Sequence, residues 1–569
     1  QVRLLRNAGW GNFENQINLV MSSSGPIAHA AAADYDSDGD LDLFLLDENE
    51  QLALYQNQGG NANHWIDIQL EGITSGGTKN NIYGIGARLE LKVGSAYQLK
   101  YVDAPVTHFG LSKAAQADVV RVVWTNGVPQ NIIRPEGDQL ITEKQILKGS
   151  CPFLYSWNGH EFEFVTDLLG NSPLGLLLDS NHYAPFNPRE YLKVSGHLVE
   201  PRNGRYVFQF TEELWETVYL DEVELLVVDH PRDVEIYTDE RFAPPPYPEF
   251  KIYQVASKKR PVRAYDDDGR DVLERIKKHD YVYVDNFKLS RYQGLTEMHS
   301  LTLDLGNLIE AEKITLFLRG WIFWTDTSIN VAVSQNSQIT PRPPYLEVAD
   351  GKGGWVSVYD FLGLPSGKNK TMVVDLTDTF PADDFRVRIT TNYQIYWDEI
   401  FFSTQASQSP QNITTLEPVY ADLHFGGYSK MYRPAPNGPH LYDYSNKVDM
   451  PIWRDMSGYF TRYGDVTPIL KATDDMYVIM NSGDEVTLEF DAMGLPPLPQ
   501  GWSRDFIFMS DGWDKDADIN TANGQTVEPL PFHGMTDYPY SGDQHYPTDA
   551  EHVQYLKSYN TRFVSSTKF

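Results

Sequence analysis

Asp34, Asp36, Asp38, Asp40 and Asp42 occupy every second position of residues 34–42, with Gly39 among them. Carboxylates this dense repel one another unless a cation sits between them. Ca²⁺ takes about six to eight oxygens at ~2.3–2.6 Å. A tight loop can supply most of that set from the side chains of Asp34, Asp36, Asp38 and Asp42. The peptide carbonyl of Asp40 is placed to add another oxygen. Gly39 permits a positive-φ bend that turns the loop back on the ion. The loop runs into Leu43-Phe44-Leu45-Leu46, an apolar run typical of a strand covered on both faces. The expectation is one bound Ca²⁺. The alternative, a solvated acidic turn, leaves the repulsion uncompensated.

A chain of 569 residues is too long for one hydrophobic core and implies several domains. Abundant Tyr, Trp and Phe with frequent turn residues favour a mainly β fold. The formal net charge of −31 opposes binding to nucleic acid or an anionic membrane surface. The single cysteine, Cys151, excludes an intrachain disulfide and reads as a buried structural thiol. No signal peptide and no apolar run of about 18 residues is visible. The sequence opens on Val2-Arg3-Leu4-Leu5, already a strand, so it is expected to start inside a domain.

Residues 1–60 contain an internal echo: Leu4-Leu5-Arg6-Asn7-Ala8-Gly9 is matched by Leu54-Tyr55-Gln56-Asn57-Gln58-Gly59. With the acidic loop between them, this resembles an FG-GAP or VCBS-type propeller repeat. The loop spacing is similar to the first part of an EF-hand, but its last ligand, Asp42, comes early and precedes a strand. One blade needs neighbours to cover it, so further blades in a longer precursor, or a partner subunit, are expected to complete residues 1–60. Residues 61–148 resemble the ASPIC/UnbV domain through Asn63-His64-Trp65-Ile66, Asn81-Ile82-Tyr83-Gly84-Ile85-Gly86-Ala87-Arg88 and His108-Phe109-Gly110-Leu111. Alternating strands are predicted at 87–93, 97–102 and 119–124, with Asn126-Gly127 as a hairpin turn. Together these features resemble the cartilage acidic protein family in a bacterial form. That resemblance implies an extracytoplasmic location: secreted, periplasmic or at the cell surface.

Residues 149–249 read as a β-rich connecting domain, with strands at 205–210 and 223–228 and a short helix over 212–218. Residues 250–405 read as a β-sandwich whose strand rhythm is similar to galactose-binding-like jelly rolls. Its strands are placed at 300–305, 313–318, 355–359, 371–375, 385–390 and 397–402, and a loop and one helix at 263–278. In residues 406–569 Asn, Pro, Gly, Tyr and Asp become common. Beyond Leu495 long ordered loops are expected, laid over other domains by their aromatic residues.

Asp514, Asp516 and Asp518 repeat the alternating acidic spacing and form a possible second metal site, although no glycine follows in place. Residues 266–271 form a third acidic run, better read as a helix N-terminus. Trp321, Trp324, Tyr396 and Trp397 are candidate ligand residues, since a sugar face stacks on exposed rings; the alternative is that they fill the sandwich core. No Gly-x-Ser-x-Gly, His-Glu-x-x-His or P-loop pattern is present. His108 and His230 stand alone and read as structural. The sequence thus predicts a mainly β, calcium-binding, non-catalytic binding or scaffolding protein. Carbohydrate binding at a surface, and an enzyme or a non-catalytic subunit of an extracytoplasmic enzyme complex, are the alternatives.

Overall fold

A computed structural model describes residues 2–9, 12–19, 26–74, 76–77, 79–147, 149, 152–405, 409–448 and 453–566. Cys151 lies outside the described residues. The chain is mainly β and forms two compact units. The first comprises Gln1–Gly72, Ile82–Thr125 and Gln130–Gln145. The second comprises Ile73–Asn81, Asn126–Pro129 and Ile146–Phe569.

In the first unit, strands Ile27–Ala33, Asp42–Asp47 and Leu52–Tyr55 make an antiparallel three-stranded sheet. Leu45 is fully buried, whereas Ala30 to Ala33, Leu52 and Leu54 are exposed, so the sheet has an uncovered apolar face. Val2–Gly9 and Asn12–Leu19 pair as a separate hairpin. Beyond them, Arg88–Val93, Ala96–Tyr101, Val119–Val123 and Pro129–Ile133 form a four-stranded sheet. His64–Glu71, Val106–Ser112 and Gln139–Lys144 form a three-stranded one. Ile66, Ile68, Leu89, Leu91, Phe109 and Val122 share one core drawn from both sheets. Alternation in the sequence translates directly into this packing, because every second side chain points inward.

The second unit contains two sandwiches. In the first, a six-stranded sheet contains Phe153–Trp157, Arg205–Thr211, Asp484–Asp491 and Tyr420–Phe425. The other sheet is built on Glu216–Pro231 and Trp502–Asp516, which pair antiparallel from Glu216↔Asp516 to Pro231↔Trp502. Phe208, Phe210, Val223, Leu225, Leu488 and Phe508 are fully buried in their common core. At roughly 1.5–3 kcal/mol for each large apolar side chain buried, such clusters set the register. The second sandwich has Leu295–Asp304 and Arg386–Tyr393 in one sheet, and Thr315–Ile322 between Lys370–Asp375 and Ile395–Ser403 in the other.

Three local expectations are corrected. Residues 212–218 are not a helix: Glu216 already begins the 16-residue strand. The stretch beyond Leu495 is not only loops, since Trp502–Asp516 is a central strand covered on both faces. In place of one helix at 263–278 there is a strand, Arg263–Asp266, and a single 3-10 turn, Leu273–Ile276. Of the described C-terminal residues, Tyr555 packs in the core of the first sandwich. Helix Ala550–Ser558 is capped by Asp549, whose side chain accepts from the amides of Glu551 and His552, and the buried Tyr555 hydroxyl donates to the Tyr477 carbonyl.

Candidate functional site

Loop 34–42 joins two strands of the three-stranded sheet. Ser37 (φ 60) and Gly39 (φ 91) both adopt left-handed backbone, which folds the acidic run back on itself. Asp34 closes the loop: its two carboxylate oxygens accept from the amides of Asp38 at 3.1 Å and Gly39 at 2.9 Å. Gly39 is pressed against Trp65, and a Cβ there would lie 1.9 Å from the indole nitrogen.

Within this frame one carboxylate oxygen each from Asp34, Asp36 and Asp42 lies within 4.8 Å of the others. Asp42 is buried and accepts from the amides of Asn57 at 2.7 Å and Tyr35 at 3.3 Å. Gln56 donates to Asp36. The carboxylates of Asp38 and Asp40 are turned to the neighbouring turn. Asp38 accepts from the Asn61 side chain at 3.0 Å, and Asp40 accepts from the Asn61 amide at 3.0 Å. Burial raises the Asp40 carboxyl above its ordinary value; the Asn61 amide opposes this, and Asp38 and Asp42 add to it. Convergent oxygens of this spacing suit a hard cation that takes only oxygen ligands. Gln56, Asn57 and Asn61 were not identified from sequence. The internal echo at 54–59 contains the first two, and nothing in it signals that they brace the acidic loop.

The other sequence candidates fare differently. Asp514, Asp516 and Asp518 are not gathered into one ligand set. Among the described residues Asp514, Asp516 and Asp518 do not bring three ligand oxygens within 4.8 Å of one another. Asp518 is instead bound by the Ser328 hydroxyl at 2.6 Å and the Asn520 amide at 2.9 Å. In the third run Asp266 accepts from the Arg270 amide at 2.7 Å, closing a turn rather than starting an α-helix. Trp321, Tyr396 and Trp397 are 1%, 5% and 3% exposed, so their rings fill the core and offer no face to a surface ligand. Trp321 stacks on Tyr396 at 4.7 Å. Trp324 alone of the four is partly exposed, at the edge of a cavity. His108 pairs with Asp67 at 2.8 Å, and His230 is buried near Asp505.

One cluster had no signal in the sequence. Asp221, Asp511 and His533, more than 300 residues apart at the extremes, come within 4.8 Å. A bulge between Leu220 and Glu222 releases Asp221 from the ladder. His533 Nε2 lies 2.8 Å from Asp511, and Nδ1 lies 2.7 Å from Asp475. Burial alone would lower the imidazolium, but the hydrogen bonds to Asp475 and Asp511 and the charges of Asp511 and Asp221 push it up to about 10. The Asp511 carboxylate also pairs with Arg189 at 3.0 Å. With a charged imidazole as its centre, this is an ion network that pins the segment around His533 to the sandwich.

Residues 77–147 match the family model described as ASPIC and UnbV. The match spans strands of the two small sheets of the first unit and stops short of the acidic loop. No curated protein matches the chain. Among solved structures the chain is similar to that titled "Single-Particle Cryo-EM Structure of Arabinofuranosyltransferase AftD from Mycobacteria" at 10% identity and a TM-score of 0.11. That alignment covers 86% of this chain and 32% of the other, so the chain spans about a third of that structure's length, and a likeness this low carries no argument. Among the described residues no helix is long and apolar enough to cross a membrane.

Proposed function

We propose that the protein is a calcium-binding, non-catalytic binding or scaffolding protein that works outside the cytoplasm, of the cartilage-acidic-protein-like kind. The observation that carries this reading is the convergence of Asp34, Asp36 and Asp42 on one point of a loop already braced by backbone amides. Asp34, Asp36 and Asp42 would hold Ca²⁺ by their side chains, with the Asp40 carbonyl adding a further oxygen. The ion would neutralise the loop and fix the edge of the three-stranded sheet. The exposed face carrying Leu52 and Leu54 supports the companion reading, in which further FG-GAP/VCBS-type repeats or a partner subunit cover this sheet.

Thermal unfolding with and without a calcium chelator tests the reading. Binding to the folded form alone stabilises it by about 2.7 kcal/mol at a hundredfold excess over Kd. Chelation should therefore lower the melting temperature of the wild type and leave Asp36→Ala unchanged. Equal behaviour of the two proteins contradicts the site.

A further inference from the structure

Four ionisable side chains are buried together where the two sandwiches of the second unit meet. They are Asp167, Glu190, Lys368 and Lys370, at 1%, 3%, 3% and 0% exposure. Asp167 ends strand Phe162–Asp167 of the first sandwich, and Lys370 begins strand Lys370–Asp375 of the second, 203 residues further along the chain. The Lys370 ammonium donates to the Asp167 backbone carbonyl at 2.5 Å and stands 3.5 Å from carboxylate Oδ1. Lys368 holds the same carboxylate. Its amide donates to Oδ1 at 2.8 Å and to Oδ2 at 3.0 Å, and its ammonium donates to Oδ2 at 3.2 Å. Gly367, at φ 130, lets this segment press on the carboxylate, since a Cβ there would lie 2.3 Å from it.

Charges taken this far from water lose hydration that an ion pair does not fully return. Glu190 is the second carboxyl of the cluster. Its oxygens accept from the Leu169 amide at 2.7 Å and the Ser366 hydroxyl at 3.3 Å. Burial raises the Glu190 carboxyl above its ordinary value; the charge of Lys370 and the Leu169 amide oppose this, and Asp167 and Glu240 add to it. Lys370 therefore stands in the field of two carboxyls, one of them poised to exchange a proton.

An amine fixed against a carboxyl away from water is placed for amide formation, since such positioning is worth an effective concentration of about 10⁵–10⁸ M. The Lys370 ammonium and the Asp167 carboxylate contain all the atoms of an amide and one water. Glu190 takes a proton from Lys370, and the free amine attacks Asp167 Cγ. Oδ2 carries the developing charge and meets the Lys368 amide and ammonium. Of the three ammonium protons, one stays on the amide nitrogen and two leave with Oδ1 as water. The C–O bond breaks as the C–N bond forms, and nothing is oxidised or reduced. The product is neutral, which removes the cost of two buried charges. The cavity of about 360 Å³ that Asp167 and Lys368 line can receive the water.

We propose that Lys370 and Asp167 join in an intramolecular isopeptide bond that ties the two sandwiches covalently, with Glu190 moving the protons and Lys368 stabilising Oδ2. The site is independent of the calcium loop. Intact-mass spectrometry of the full chain tests it, followed by peptide mapping. The wild type should weigh one water less than its sequence, and its digest should contain a branched peptide joining residues 167 and 370. Glu190→Gln and Lys370→Met should return to the full mass of their sequences. The wild-type mass decides the proposal even where a variant fails to fold. It is overturned by a wild type of full sequence mass, by a loss of water that maps to a cyclic imide or to a bond through Lys368, or by a folded Glu190→Gln that is cross-linked as completely as the wild type.

Discussion

Replacing His533 by Gln removes the one cation at the centre of the Asp221, Asp475 and Asp511 cluster. The folded imidazolium titrates at about 10, against 6.5 for an ordinary histidine. A raised pKa means that its stabilisation is fully present below pH 6.5 and disappears as pH rises to about 10. At about 1.4 kcal/mol per unit the ceiling is about 5 kcal/mol, but His533 is partly exposed and solvent screening leaves about 1–2 kcal/mol of it. Asp221 acts in the same direction: burial, partly opposed by the Asp475 amide and by His533, raises it to about 8. It holds a proton in the folded state that the unfolded chain has lost, so it too costs stability as pH rises from 3.8 to about 8. The Trp513 ring, 4.6 Å from the imidazole, and Arg189 on Asp511 complete the surroundings. Native-state amide exchange over residues 527–546, corrected for intrinsic rates, reads the local opening energy. In the wild type it should fall by about 1–2 kcal/mol between pH 6.5 and 10. In His533→Gln it should start low, and the difference between the two proteins should vanish near pH 10. A difference that is constant over this window would refute the ionic account.

Lys515 is fully buried, donating to the Val527 carbonyl at 2.7 Å and the Tyr538 hydroxyl at 3.1 Å, and burial lowers it to about 7 despite Glu528. Its sign is opposite to that of His533: the folded state must accept a proton into the core below pH 7, so Lys515→Met should stabilise by about 3 kcal/mol at pH 6 and by less above pH 10 in denaturant titrations. Gly39→Ala places a methyl group on the Trp65 indole at φ 91, and strain plus overpacking should cost about 2–5 kcal/mol, seen as faster amide exchange over residues 34–47. Asn61→Ala removes the donor to Asp38 and should weaken calcium binding by several-fold without unfolding the sheet, measured by calorimetric titration.

Local pattern made part of this architecture legible. Alternation at 87–93 and 119–124 marks strands with one face in a core, and Leu89, Leu91, Val120 and Val122 fill that core. In the second sandwich, strands read at 371–375 and 397–402 lie within Lys370–Asp375 and Ile395–Ser403, and the one read at 300–305 overlaps Leu295–Asp304 to within a residue of its end. The first sandwich was opaque because its partners are remote. Trp502–Asp516 pairs with Glu216–Pro231 across nearly three hundred residues, and no local signal records such pairing. Residues 502–516 also mix Arg504, Asp505, Asp511 and Lys515 into a buried strand, which blurs its apolar period. Three of those charges have ionic partners, Arg504 with Asp229 at 2.7 Å, Asp505 with Lys193 at 3.5 Å and Asp511 with Arg189 and His533, while Lys515 has only the Val527 carbonyl and the Tyr538 hydroxyl. The aromatic candidates failed for a different reason. Composition cannot tell a ring at a cavity edge, Trp324, from a ring in the core three residues earlier, Trp321.

The most direct measurement is anomalous diffraction from crystals of the protein grown with Ca²⁺. The account predicts one anomalous peak within about 2.3–2.6 Å of carboxylate oxygens of Asp34, Asp36 and Asp42 and of the Asp40 carbonyl. A loop that diffracts well and carries no peak at saturating calcium would contradict it.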